Sequence, residues 1–315
     1  MTETYSIGVT GAAGYIGSRV VVELLKAGHD VVALDNFHAA KVDRIDGVDI
    51  HDVDVRDRST VRETFDGVDA ICHLAAISGV QECDDAPEAA FDVNVGGTEN
   101  VAWLCREWDV PLVFPCSMAV IGDPVDFPIT ADHPRDPLNL YGRTKTMSED
   151  DIHQLATGSF PAHVFMKTNL YGSHDVGDTT VDKHTVINIF VDRALDREPL
   201  HVHEPGTQAR DFIHVRDVGR AYTASLEALF DADPGAITFP LASGESASIL
   251  DIAEIVQTIV VDDRGYRVPI EMVENPRDGE TEVGDFTVDT EPARAVIGFE
   301  AENSLESAIR EMVQS

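Results

Sequence analysis

Tyr141 and Lys145 stand four residues apart in the run Tyr141-Gly142-Arg143-Thr144-Lys145. On a helix such a pair shares one face, with Cβ atoms about 5–6 Å apart. An ammonium beside a phenol favours the phenolate, so the pair predicts a Tyr141 pKa below the usual tyrosine value of about 10. That is the chemistry of a general base at neutral pH. The same spacing also occurs on solvated helix faces. It acquires chemical meaning only if other segments bring an electron acceptor, a proton partner and a substrate to this helix.

The acceptor is predicted by the first 35 residues. Ser6-Ile7-Gly8-Val9 is a short apolar run of the kind that forms a buried strand. It leads into Thr10-Gly11-Ala12-Ala13-Gly14-Tyr15-Ile16-Gly17-Ser18, a helical pattern with Val20, Val21, Leu24 and Leu25 on one side, and a second strand ending at Asp35. Glycines at Gly11, Gly14 and Gly17 permit a tight turn, close approach of a pyrophosphate and close helix-on-strand packing. The helix N-terminus then faces the phosphates. Asp35 can accept from ribose hydroxyls and would repel a 2′-phosphate, which predicts NAD over NADP. A glycine-rich turn without ligand is the alternative, and the strand–turn–helix–strand–acid order argues against it.

Further strands are predicted before Asp54-Val55, at Ala70–Ala76 with small residues at its end, and at Leu112–Phe114 running on to Ser117. A helix opens near Asn94. This alternation predicts an α/β fold with a doubly wound parallel sheet, with ligands outside the carboxyl ends of its strands. Ser117 lies at such an end, just ahead of the Tyr141–Lys145 helix. Pro115 stands inside this central strand, where it cannot donate to the ladder, so an irregularity or strand end is expected there.

The chain has 315 residues, with 57 acidic against 23 basic and a net charge of −34; only five of the basic residues are lysine. The acids are spread along the chain and so belong to a folded surface. At about 1 M salt the Debye length is about 3 Å and such self-repulsion is largely screened. The composition therefore predicts a protein of a salt-rich cytoplasm, resembling those of halophilic archaea. Nucleic acid and anionic membranes are poor partners for it. Cys72, Cys83, Cys105 and Cys116 form no Cys-x-x-Cys pair, and no His cluster has metal-ligand spacing, so reduced structural thiols and no metal are expected. The N-terminus has no basic region followed by an apolar run, and no segment has about 20 uninterrupted apolar residues; a cytoplasmic location is expected.

Taken together, the chain resembles the extended short-chain dehydrogenases/reductases, in the nucleotide-sugar epimerase and dehydratase group. The resemblance rests on the Gly11/Gly14/Gly17 loop, Asp35-Asn36, Asp54-Val55, His73-Leu74-Ala75-Ala76, Asn94-x-x-Gly97-Thr98, Ser117 five residues before Gly122, and Tyr141/Lys145. It implies a Rossmann domain and a smaller α/β substrate domain, with residues 1–172 and 210–240 in the first and 173–209 and 241–315 in the second. It implies a catalytic triad of Ser117, Tyr141 and Lys145. It implies an NAD site using Gly11, Gly14, Tyr15, Ile16, Gly17, Asp35, Asn36, Asp54, Val55, Leu74, Ala75, Ala76, Asn94 and Lys145. Asp54 and Val55 would flank the adenine, and Lys145 would also hold the nicotinamide ribose. Homodimerisation is implied as well.

The second half resembles the family in three places. Asn169 of Asn169-Leu170-Tyr171-Gly172 corresponds to a nucleotide-sugar contact, although Met166 stands where relatives commonly have arginine. Arg210 and Arg277 correspond to pyrophosphate ligands. In a chain of charge −34 an anionic substrate needs such local compensation, and arginine offers a bidentate fork. Each arginine could instead be a surface ion pair. The polar stretch Ser173–Asp182 is expected as a loop over the site, and Thr185–Phe190, Ile249–Val260 and Ser304–Val313 as helices. Met118-Ala119 follow the serine where dehydratases and decarboxylases carry an acid, which disfavours those activities. The expected reaction is 4-epimerisation of a UDP-sugar by reversible hydride transfer, with Tyr141 as base and Ser117 as proton partner; Ser117, Tyr141, Asn169, Arg210 and Arg277 would meet the substrate. The rival is an NAD-dependent dehydrogenase of a free sugar. A non-catalytic NAD-binding protein would not need all three of Ser117, Tyr141 and Lys145.

Overall fold

The computed structural model describes residues 3–275 and 283–314. The strands in chain order are β1 (Ser6–Thr10), β2 (Asp30–Asp35), β3 (Arg44–Ile45), β4 (Val48–Asp52), β5 (Ala70–His73), β6 (Leu112–Ser117), β7 (Pro161–Lys167), β8 (Asn169–Tyr171), β9 (His174–Val176), β10 (Thr179–Val181), β11 (Leu200–His203), β12 (Ala209–His214), β13 (Gly235–Leu241), β14 (Ser246–Ser248) and β15 (Ile270–Val273). Eight of them form the main sheet in the order β13-β7-β6-β5-β1-β2-β4-β3. All pairs are parallel except β3 with β4. The chain runs outward through β2 and β4 on one side of β1 and through β5, β6, β7 and β13 on the other. The crevice where the winding reverses lies beyond the carboxyl ends of β1 and β5, the place where such sheets bind ligands.

Both faces of the sheet are covered, which is why β1 and β5 read as apolar runs without alternation. The helices are α1 (Tyr15–Ala27), α2 (Arg58–Thr64), α3 (Val80–Asp85), α4 (Pro87–Phe91), α5 (Thr98–Trp108), α6 (Leu140–Ala156), α7 (Val186–Leu195), α8 (Val215–Leu229), α9 (Ile249–Arg264), α10 (Glu291–Ile297) and α11 (Leu305–Gln314). On one face α1 packs against α8, and Val20, Leu24 and Tyr222 meet Phe165 and Phe239 from the sheet. On the other, α5 and α6 bring Leu104 and Ile152 onto a core that includes Phe65, Phe114 and Met166. A third core, with Ile187, Phe212, Val256 and Ile309, joins α7, α9 and α11. Each fully buried side chain of this size contributes about 2 kcal/mol by leaving water. The expected helix at Ile249 runs to Arg264, and Ser248 with Asp251 forms a capping box at its start.

One expectation is corrected, and the irregularity expected at Pro115 is located. The stretch from Ser173 is not a free loop: β9 and β10 pair as an antiparallel hairpin, and His174 Nε2 lies 3.1 Å from Ser18 Oγ on α1. Its alternation was hidden because the outward residues Asp175, Thr179 and Thr180 are polar and the strands are only three residues long. Pro115 does not end β6, which pairs with β7 all the way to Ser117. Instead the ladder to β5 stops at Val113, and the Pro115 carbonyl turns to a side chain described below.

Four of the buried histidines, His73, His163, His174 and His214, have lowered pKa values. Burial pushes the His73 pKa down to about 3, and those of His163, His174 and His214 to about 4. Each is neutral in the fold and must be protonated in the unfolded chain below about pH 6.5. The unfolded state then binds more protons, so stability falls as pH drops from about 6.5 toward 4, by about 1.4 kcal/mol per unit for each group. Melting temperatures measured at fixed high salt should fall steeply between pH 6.5 and 5, above the main carboxylate range. A flat profile there would contradict buried, neutral histidines.

Candidate active site

The glycine loop leaves β1 with Gly11 at φ +66°, and Gly14 N–H donates to Gly11 O at 3.1 Å. A Cβ on Gly17 would lie 2.0 Å from Gly11 O, and one on Gly11 2.7 Å from Ala75 N, so both glycines are required by backbone against backbone. At Gly14 a Cβ would meet only Gly11 O at 3.3 Å, which leaves that position facing open space. Gly14 is also the N-cap of α1, and no side chain caps it. The amides of the first turn, at Tyr15, Ile16 and Gly17, are thus presented at a positive helix end. The Tyr15 ring itself is spoken for: its hydroxyl donates to Gly172 O at 2.8 Å.

Asp35 sits buried at the end of β2, accepting from Ala13 N at 3.0 Å and Phe37 N at 2.8 Å. Burial raises its pKa, and the two amides partly offset that. Beside it, Asn36 Nδ2 donates to Asp54 Oδ2, and Arg56 grips Asp54 with two bonds of 2.9 and 2.7 Å, holding that carboxyl well below the usual range. Val55 packs against Gly97, where a Cβ would come within 2.6 Å of it. The loop with no room for side chains, the uncapped helix end and the acid at the next strand end together fit a dinucleotide of the NAD type.

Behind this cleft runs a buried chain of bonds that the sequence pattern did not disclose. Thr10 Oγ1 lies 2.7 Å from His73 Nδ1, and His73 Nε2 lies 3.0 Å from Thr98 Oγ1. Thr10 Oγ1 also accepts from Leu74 N and Ala75 N, fixing the segment that continues to Ala76. Asn94 stands in a π-helical stretch at Asp92–Gly97, a distortion frequent at functional sites. Its amide is committed to Ile77, accepting from its N–H at 2.8 Å and donating to its carbonyl at 3.0 Å, and reaches Thr144 Oγ1 at 3.1 Å. Asn94 therefore ties the loop after β5 to α6, with both amide hydrogens committed within the chain.

Ser117 ends β6, and Asn139 caps α6 by accepting from Gly142 N at 2.9 Å, which sets Tyr141 in the first turn facing Ser117. The close approach of this turn to the Ser117 loop needs Gly142, since a Cβ there would lie 2.4 Å from Ala119 O. Ser117 Oγ accepts from Ala119 N at 3.2 Å, and Ser117 stands near enough to the Tyr141 phenol to favour its ionised form. Lys145 points the same way, buried, with Nζ donating to Pro115 O at 3.0 Å and lying 4.5 Å from the Phe114 ring centroid. Here the sequence expectation for Tyr141 is corrected. Its pKa is raised, not lowered, because burial outweighs the effect of Ser117, and Lys145 is not among the charges that act on it. The lysine is drawn to the backbone of β6, and burial lowers its own pKa to about 8. In the chain alone Tyr141 rests as a neutral phenol.

Of the substrate residues, Asn169 is exposed on β8. Arg210 lies on β12, donating to Ala209 O at 2.7 Å, with its guanidinium 5.8 Å from the Phe286 ring. Arg277 lies outside the described residues. Met166 is buried in the apolar core. The neighbour that enters the site is Lys167, because successive strand residues face opposite sides and Lys167 is in register with Ser117. Sequence reading passed over it; its signal was a lysine at a strand end in a chain with only five lysines. Met118, just after Ser117, turns into the core, so no carboxylate follows the serine.

A twisted parallel sheet with a glycine-loop dinucleotide crevice and a Ser–Tyr–Lys group at its rim defines an NAD-type oxidoreductase site. The chain belongs to the NAD dependent epimerase/dehydratase family, whose model matches residues 7–238. It is 31% identical to UDP-glucose 4-epimerase 4 of Oryza sativa subsp. japonica over 307 residues, covering 87% of this chain and 80% of the rice protein. It is 29% identical to UDP-glucose 4-epimerase of Bacillus subtilis, covering 95% and 93%. Among solved structures it is similar to the UDP-glucose 4-epimerase of Brucella ovis in complex with NAD, with TM-score 0.86, 27% identity and 98% of each chain covered. The corresponding Stenotrophomonas maltophila enzyme, with bound NAD and formylated UDP-arabinopyranose, matches at TM-score 0.86 and 27% identity, covering 98% of this chain and 97% of that one.

Proposed function

We propose that this chain is an NAD-dependent nucleotide-sugar epimerase acting at C4, of the UDP-sugar type. The observation that carries it is the convergence of Ser117, Tyr141 and Lys145 on a crevice shaped for NAD, in a chain similar to UDP-glucose 4-epimerases over nearly its whole length. NAD, when bound, supplies the hydride acceptor and donor and places a positive ring in the site. The backbone of Gly11, Gly14, Tyr15, Ile16 and Gly17 would cradle its pyrophosphate, Asp35 and Asn36 its adenosine ribose, Asp54 and Val55 its adenine. Leu74, Ala75 and Ala76 would line the other wall, and Lys145 would hold the nicotinamide ribose. With that positive ring stabilising its phenolate, Tyr141 would take the proton of the sugar hydroxyl and return it to the opposite epimer; Ser117 would bond the reacting oxygen and pass the proton. Asn169, Arg210 and Arg277 would receive the nucleotide diphosphate. We assign cofactor binding to residues 1–172 and 210–240 and substrate binding to 173–209 and 241–315, the latter supported by the third core.

A dehydrogenase of a free sugar would need the same triad and loop, but the likeness to 4-epimerases does not favour it. Supplied with UDP-glucose and NAD in limiting amount, the enzyme should form UDP-galactose in many turnovers per cofactor. Stoichiometric NADH released from free hexoses or pentoses, without nucleotide-sugar turnover, would decide for the dehydrogenase.

We assign the protein to a salt-rich cytoplasm, as a homodimer. The net charge of −34 supports this, as do the five lysines. Among the described residues no helix is long and apolar enough to cross a membrane. Activity and melting temperature should both rise from low salt to about 1 M KCl, where the Debye length is about 3 Å. Full activity and stability without added salt would remove this assignment.

A further inference from the structure

Lys167 ends β7 directly beside Ser117 on β6, in register, so the two side chains stand on the same face one strand spacing apart. Its other register partner is Leu241 on β13, which is apolar and fully buried. Among the described residues the Lys167 side chain makes no hydrogen bond or ion pair. The charged groups that act on it are two more ammoniums, those of Lys183 and Lys145, with the Cys116 thiol the only group pulling the other way. Lys183 reaches in from the segment after β10 and donates to Ser78 Oγ at 3.1 Å, just past the end of β5. Three of the five lysines of a chain with 57 acidic residues thus gather at one cleft, and among the described residues Lys167 has no carboxylate partner.

Several other cations of this chain are matched by acids: Arg135 by Glu149, Arg216 by Glu311, Lys26 by Glu23. An ammonium half-buried without an anion is costly, and desolvation with its neighbours lowers the Lys167 pKa to about 7. An anion brought by a ligand would relieve this. The position selects which one. Lys167 adjoins the serine that meets the reacting C4 oxygen, and C6 of a hexose is two bonds from C4. The pyrophosphate, by contrast, is assigned to the arginines of the second half.

We propose that Lys167 is a specificity-determining residue that receives a carboxylate on the sugar itself, so that the preferred substrate is a nucleotide-linked uronic acid over the neutral hexose. This rests on the epimerase reading for the placement of the sugar.

The test is calorimetric binding of UDP-glucuronate, UDP-glucose and UDP to the NAD-loaded protein in high KCl, for the parent and Lys167→Gln, with epimerisation of both sugars followed alongside. The parent should bind UDP-glucuronate at least about tenfold more tightly than UDP-glucose, and Lys167→Gln should lose at least about tenfold more affinity for the uronate than for the neutral sugar or UDP. Equal loss for all three ligands would place Lys167 on the phosphates and overturn the proposal. So would a parent that binds the two sugars equally. If the uronate preference and its loss appear in binding while neither sugar is epimerised, the carboxylate site stands and the epimerase reading fails.

Discussion

Tyr141→Phe is expected to lower nucleotide-sugar turnover by about a thousandfold, the scale of a lost general acid–base group. The change deletes one hydroxyl and keeps the ring, so the packing of α6 against the Ser117 loop should persist, and NAD should bind with an affinity within a few-fold of the parent. What goes is the phenol oxygen beside Ser117, the atom that would accept the sugar's proton. Lys145 cannot substitute, because its ammonium is engaged by the Pro115 carbonyl. Steady-state epimerisation and an NAD titration on the same preparation separate the two effects. A variant that turned over at parental rates would mean that the base lies elsewhere.

Gly17→Ala should have the largest effect on the cofactor. The added methyl would lie 2.0 Å from Gly11 O, 2.8 Å from Gly11 C and 2.9 Å from Ala12 Cα. All three are backbone atoms, so no side-chain rotation relieves the clash; α1 must move away from β1 or the loop must open. Either movement takes the helix N-terminus off the phosphates. NAD binding should fall below detection in calorimetry, with a stability loss of about 1–3 kcal/mol from overpacking. Gly14→Ala is the informative contrast. Its methyl would meet only Gly11 O at 3.3 Å, so the fold should keep its melting temperature while NAD, which approaches that face, binds more weakly. Parental NAD affinity in Gly17→Ala would show that the loop is not the phosphate cradle.

The sheet was readable from the sequence because both of its faces are covered, and buried parallel strands announce themselves as apolar runs such as Ile7–Val9 and Leu112–Phe114. The glycine loop was readable because only glycine fits at Gly11 and Gly17. What could not be read depends on contacts between distant segments. The Tyr141 pKa turns on where the Lys145 ammonium goes, and that is decided by a carbonyl on β6, thirty residues away. Asn94 fits a binding motif by spacing, yet its amide is consumed by Ile77 and Thr144. Lys167 enters the site only through the register of β7 on β6, which no local pattern carries. The β9–β10 hairpin is short and polar on its outer face, so period-two alternation had too few residues to show. Met166, which stands where relatives commonly have arginine, belongs to the core because strand alternation sends its neighbour to the cleft.

The central claim is that one hydrogen leaves C4 of the sugar and returns to the same carbon while Tyr141 handles only the hydroxyl proton. UDP-glucose carrying deuterium at C4, converted by the enzyme in ordinary water with catalytic NAD, tests this directly. The prediction is UDP-galactose with the deuterium retained at C4 and no hydrogen gained from solvent at C4 or C5. Deuterium lost to water, or recovered in released cofactor with no epimeric product, would contradict it.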